Sequence, residues 1–299
     1  MRKPLAFAAA ATAAATMALA PAASATTQSK DKVIAYGVSG RSLVRFDVRT
    51  PFLLKRVAPV TGLARGERVV GIDFRPRTGE LVALGSRSNV YAVDTRSGGA
   101  QKKSTLNVAG TPVTLAGTSF GVDFNPTVDR LRVISNDEQN LRVNVDTGAT
   151  TVDTALAYAG DDVNANMDPS AVGAAYTNND NDSVATPPAA PAPGSTLTQL
   201  FAIDSRSDSL ALQNPPNDGV LRTVGSLGVN TRKAVGFDVY SRLSGGRAVT
   251  NTAYAALRIR GITRLYTVDV ASGDADNAGR IGLFGLSRVD DLAVQPQRV

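Results

Sequence analysis

Three aspartates occupy the same place in a repeated tetrapeptide: Asp73 in GIDF, Asp123 in GVDF and Asp238 in GFDV. Ala175 (GAAY) and Ala293 (DLAV) take that place in two further copies. Where repeats share an axis, acids at equivalent positions converge, and there they could ring a hard cation or coat a channel with negative charge. A repeated acid has a second use, as a buried carboxylate that accepts hydrogen bonds from backbone amides or pairs with a cation such as Arg132 or Arg142. The structural use is preferred, because a residue that recurs with the unit usually serves the unit.

A second oxygen-rich run, Asp162-x-Asn164-x-Asn166-x-Asp168, offers alternate side chains to one Ca²⁺. Met167 stands where a calcium loop needs its glycine, and Gly173 where it needs a bidentate glutamate. A polar turn closed by Asn and Asp side chains ahead of Pro169 is the competing reading. Beyond that Ca²⁺, no cofactor is expected. The chain has neither histidine nor cysteine. Imidazole-dependent triads, cysteine nucleophiles and ordinary zinc sites are therefore excluded, as are disulfides. Glycoside chemistry needs only two carboxylates. Asp161, Asp162, Asp168, Asp180 and Asp182 make acids so plentiful that their presence selects nothing, and no catalytic residue is assigned.

These groups need a scaffold, and the tetrapeptides supply its period. They begin at Gly71, Gly121, Gly173, Gly236 and Asp291, roughly fifty residues apart, the spacing of a repeat whose units cannot bury their apolar faces alone. A second element recurs downstream, an alternating strand that runs into an acid or amide and a turn: it ends near Asp47, Asp94, Asn144, Asp204 and Asp269. With strands between and after these, and no helical periodicity, the pattern predicts an all-β fold: a β-propeller of about five four-stranded antiparallel blades, six being the alternative. The chain opens on strands two to four of a blade (Val33 to Val38, Leu43 to Val48, Leu53 to Val60) and ends on an unpaired first strand, Val289 to Val294. Pairing the two would close the ring. Tyr36, Tyr91, Tyr254 and Tyr266 fall at strand positions and read as core.

Residues 1–25 read as an export signal: Arg2 and Lys3, an apolar run from Leu5 to Ala20, and small residues before a cleavage point at Ala25-Thr26. A short flexible leader (26–32) and one propeller domain (33–299) come after it, with a disordered Pro/Ala loop at 180–196. No segment after the signal is long and apolar enough to span a bilayer. The formal net charge of +6 falls to an excess of four without Arg2 and Lys3, and the arginines stand singly among acids. That is a solvated basic surface and not a nucleic-acid footprint.

The runs FGVDFNPTVDRLRVISNDEQNLRVNVDTGA (Phe120 to Ala149), AYAGDDVNANMDPSAVGAAYTNN (Ala157 to Asn179) and QNPPNDGVLRTVGSLGV (Gln213 to Val229) resemble the bacterial family called domain of unknown function 4394. The resemblance implies an exported bacterial protein with propeller-like repeats, and supplies no activity or catalytic residue. The expected function is a secreted, monomeric, non-enzymatic module that binds an extracellular or cell-envelope ligand. A carboxylate- or calcium-dependent enzyme on extracellular carbohydrate and a structural protein of the envelope are the alternatives.

Overall fold

The computed structural model describes residues 32–179, 198–231, 235–283 and 288–297. The expected signal peptide, most of the leader and the Pro/Ala loop at 180–196 lie outside them. The chain from Lys32 to Val299 is one compact unit.

Five antiparallel sheets make five blades. Blade 2 runs Val69–Phe74, Leu81–Gly85, Asn89–Val93 and Ala100–Thr105 from the inside out. Blade 3 runs Phe120–Asn125, Arg130–Ser135, Asn140–Val143 and Thr150–Val152. Blade 5 runs Val235–Ser244, Arg247–Ile259, Ile262–Val268 and Ala275–Arg280. Blade 1 takes its inner strand, Asp291–Val294, from the end of the chain, then Ile34–Ser39, Ser42–Asp47 and Lys55–Pro59 from its beginning. Leu292 lies opposite Gly37 and Ala293 opposite Tyr36, so the ring closes as expected. Among the described residues helix is confined to short 3₁₀ turns such as Pro216–Asp218.

Blade 4 departs from the pattern in two ways. Its strands are Ala171–Tyr176, Leu200–Asp204, Ser209–Gln213 and Val220–Ser226, so the acid-ended segment QLFAID is the second strand there and not the third. GAAY is the inner strand, and a long segment, in place of a tight hairpin, separates it from the second. That displaces the recurrent acid by one strand. A fifth strand, Ala157–Tyr158, pairs parallel with Val220 and Leu221 at the outer edge.

The inner strands pack against one another around the axis, and the glycine that opens four of the five tetrapeptides is what lets them approach. A Cβ on Gly121 would lie 2.5 Å from the backbone nitrogen of Ala174, and one on Gly236 would lie 2.4 Å from that of Leu292. No side chain fits at either place. Apolar side chains then fill the spaces between blades: Tyr36, Ile72, Phe74, Leu81 and Tyr91 form one such layer between blades 1 and 2. Tyr36, Tyr91 and Tyr266 are core residues, as read from the sequence, while Tyr254 is half-buried.

Candidate functional site

The alternation of strand residues aims the third residue of each tetrapeptide at the axis. Asp73, Asp123 and Asp238 are all buried, and one oxygen from each lies within 4.8 Å of the others. Each carboxylate also reaches the inner strand of the next blade. Asp73 Oδ2 accepts the N–H of Phe124 at 2.7 Å, and Asp123 Oδ2 that of Tyr176 at 2.7 Å. Asp238 Oδ2 accepts the N–H of Val294. A fourth acid completes the arrangement: Asp291 Oδ2 accepts the N–H of Ile72 at 2.6 Å. Carboxylates of blades 1, 2, 3 and 5 thus each hold the neighbouring blade by its backbone, and only blade 4, with Ala175, lacks the link. Asp291 escaped the sequence reading because it stands at the glycine position of its tetrapeptide, where no acid was sought.

The arginines expected to pair with this cluster do not. Arg132 is buried but points outward, donating to Asp153 Oδ2 and Asn140 Oδ1 at 2.7 Å and to Asn217 Oδ1 at 2.8 Å. Arg142 chelates the same Asp153 at 2.7 and 2.9 Å. These bonds tie blade 3 to the loop that closes blade 4. At the axis, burial is the main cause that pushes Asp73, Asp123 and Asp291 well above the usual carboxylate range, with mutual repulsion adding to it. Asp238 is pushed up to about 7, again by burial. No cationic side chain among the described residues pairs with this cluster, and burial favours the protonated form of its acids. The same convergence of oxygens makes Asp73, Asp123 and Asp238 the one group of three or more acids, among the described residues, that could hold a metal ion.

The second oxygen-rich run divides. Asp162 accepts the N–H of Asn164 at 2.8 Å and both the N–H and the hydroxyl of Thr223, at 2.6 and 2.7 Å. Asn164 Nδ2 donates to the same hydroxyl at 2.9 Å. Asn166 and Asp168 face solvent, the Asp168 side chain being 85% exposed. The structure therefore brings Asp162 and Asn164 together on blade 4 and leaves Asn166 and Asp168 apart from them.

Two spaces flank the axial acids. On the side where the inner strands begin, a cavity of about 310 Å³ is lined by Arg68, Thr118, Ser119, Arg288, Asp290 and Asp291 among others. On the side where they end, Asp73, Asp238, Asn179 and Tyr240 border a void of about 10 Å³, room for about one water. The acids close the bore between the two.

A family model described as Domain of unknown function (DUF4394) matches residues 42–293. The chain belongs to that family. No curated protein matches it. Among solved structures, this DUF4394 member is similar to a chain of the nidogen/laminin complex, at 8% identity and a TM-score of 0.48, over 89% of this chain and 98% of that one. It is also similar to a structural-genomics protein of unknown function from Bacteroides thetaiotaomicron VPI-5482, at 14% identity and a TM-score of 0.46, over 88% of this chain and 64% of the other. The computationally designed Ika8 protein matches at 10% identity and a TM-score of 0.34, over 88% and 62%. For this DUF4394 chain the site must be argued from its own side chains.

Proposed function

We propose that this propeller is an exported, non-enzymatic binding module that holds an extracellular or cell-envelope ligand at the mouth of its channel. The observation that carries the reading is the cavity of about 310 Å³ where the inner strands begin. Its volume suits a small ligand or the end of a chain, and its lining mixes guanidinium, hydroxyl and carboxylate groups from blades 1, 2 and 3 on rigid strand ends. The acids behind it are occupied by neighbouring backbone N–H groups, so they serve as a floor. Export rests on the signal read in residues 1–25. A glycan and metabolite array probed with the chain from Thr26 onward tests the module. The expected result is a ligand bound without turnover and lost in Thr118→Trp, whose indole fills the mouth. Product formation, or a ligand that Thr118→Trp still binds, overturns the reading.

A further inference from the structure

The three outer strands of blade 1 are rich in cations. Residues 34–59 carry Arg41, Arg45, Arg49, Lys55 and Arg56 against Asp47 alone. That excess of four equals the whole excess left once Arg2 and Lys3 are set aside from the formal +6. The other residues of the chain sum to zero. The strand geometry gathers most of this charge at one place. In Ser42–Asp47, Arg45 is exposed between buried Val44 and Phe46. Its register partners are Tyr36 on the inner side and Lys55 on the outer side. Residues opposite one another share a face, so Arg45 and Lys55 stand as like charges side by side, an arrangement that costs stability unless something of opposite sign is present. Arg56, opposite Val44, is the next residue along the same outer strand.

Blade 2 contributes a further cation. Asp94 Oδ1 accepts the N–H groups of Arg96 and Ser97, at 2.9 and 2.7 Å, and so fixes the turn that carries Arg96. A cavity of about 710 Å³ lies between the blades, and Arg45, Lys55, Arg56 and Arg96 line it together with Tyr36 and Gln295. No carboxylate lines it. The nearby acids are engaged elsewhere, Asp47 with Arg49 at 2.8 Å and Asp94 with its own turn. None of these four cations has an ion pair among the described residues, a state they share with other surface cations such as Arg41 and Arg68 but here combine with convergence on one cavity. Tyr36 is 5% exposed and packs edge-on against Phe74 at 5.5 Å, and its hydroxyl has no partner among the described residues. It is a fixed donor at the wall of the cavity.

We infer that this seam between blades 1 and 2 is a binding site for a ligand carrying two or more phosphate or carboxylate groups. Three planar guanidinium forks match oxyanions in pairs of hydrogen bonds, and the ammonium adds a point charge. Volume and donor count fit an oligomer that threads several anionic groups through the seam, and exclude a lone monovalent anion as the best occupant. The site is separate from the channel mouth. It sits where Gln295 succeeds the last inner strand, whereas the mouth lies where the inner strands begin.

Calorimetry with the chain from Thr26 onward tests the inference, using tripolyphosphate and an oligogalacturonate as probes at low and moderate salt. At least one probe is expected to bind and to lose affinity at least tenfold as salt rises from about 20 to 200 mM, through displacement of counterions. Binding by one probe alone assigns phosphate or carboxylate. The double variant Arg45→Gln, Arg56→Gln is expected to weaken binding at least tenfold with an unchanged melting temperature, while Arg222→Gln, which removes a cation of blade 4, leaves binding intact. Thr118→Trp at the mouth is also expected to leave it intact, so failure of the mouth reading and failure of this one are separable. The inference is overturned if neither probe binds at low salt or if Arg222→Gln weakens binding as much as the double variant. Loss of binding in Thr118→Trp would likewise overturn it. So would binding of duplex DNA with no binding of either short probe, which would make blade 1 a nucleic-acid surface.

Discussion

The axis and the seam hold similar numbers of like ionisable groups and treat them in opposite ways. At the axis, Asp73, Asp123, Asp238 and Asp291 are buried, each bonded to the backbone of the neighbouring blade. At the seam, Arg45, Lys55, Arg56 and Arg96 line an open cavity with no ion pair among the described residues. A group that the fold has satisfied contributes to stability and has little left for a ligand, whereas a charged group that the fold leaves unsatisfied is available to one. The contrast separates the acids as parts of the scaffold from the cations as parts of a surface that recognises something.

The largest effect that tests this contrast is that of pH. The unfolded chain releases the Asp238 proton near pH 4, and the folded chain keeps it to about 7. Stability from this group is therefore fully present below pH 4 and is lost as pH rises through 7, by ~1.4 kcal/mol per unit and roughly 4 kcal/mol in all. Asp129 and Asp146, held below the usual range chiefly by hydrogen bonds from Arg75, act the other way and lose their contribution below pH 4. Urea midpoints should fall between pH 5 and 7.5, and Asp238→Asn should flatten the curve. A midpoint that climbs over this interval would show that the axial acids are ionised when folded.

Next in size is the packing that brings those acids together. Gly236→Ala sets a methyl 2.4 Å from the Leu292 nitrogen, at the junction where the ring closes. Overpacking against backbone should cost about 3 kcal/mol in urea denaturation. A cost within experimental error would mean that the inner strands have slack.

The smallest effects sharpen the comparison directly. Asp123→Ala strands the N–H of Tyr176 and should cost about 2 kcal/mol, while Asp123→Asn keeps an acceptor and costs less. Arg45→Ala should stay within about 0.5 kcal/mol of the parent. If thermal melts place Arg45→Ala beside Asp123→Ala, the seam is structural and the contrast fails.

The sequence discloses the axis far better than the seam, for a physical reason. Asp73, Asp123 and Asp238 recur at one position of a repeat, and equivalent positions in a ring face one point, so periodicity alone brings them together. Arg132 misled as their partner because strand alternation says which face a side chain takes but not which neighbour it meets, and Asp153 lies twenty-one residues away, just past the end of the outer strand. Arg45, Lys55 and Arg56 look dispersed along the chain, and Arg96 comes from another blade. Their proximity depends on register and on the packing of two sheets, neither of which leaves a mark in local sequence. The irregular blade 4 reflects the same limit: an acid and a turn mark the end of a strand without numbering it.

The pairing of Asp291–Val294 with Ile34–Ser39 also fixes an order of events. Blade 1 lacks its axial strand until the last residues of the chain arrive, and so do the bonds from Asp238 to Val294 and from Asp291 to Ile72. A polypeptide threading a pore with its amino end first would carry an unmated sheet edge for the whole of its transit. Each of these two latches joins the C-terminal strand to a distant part of the ring, so both depend on that strand being in place.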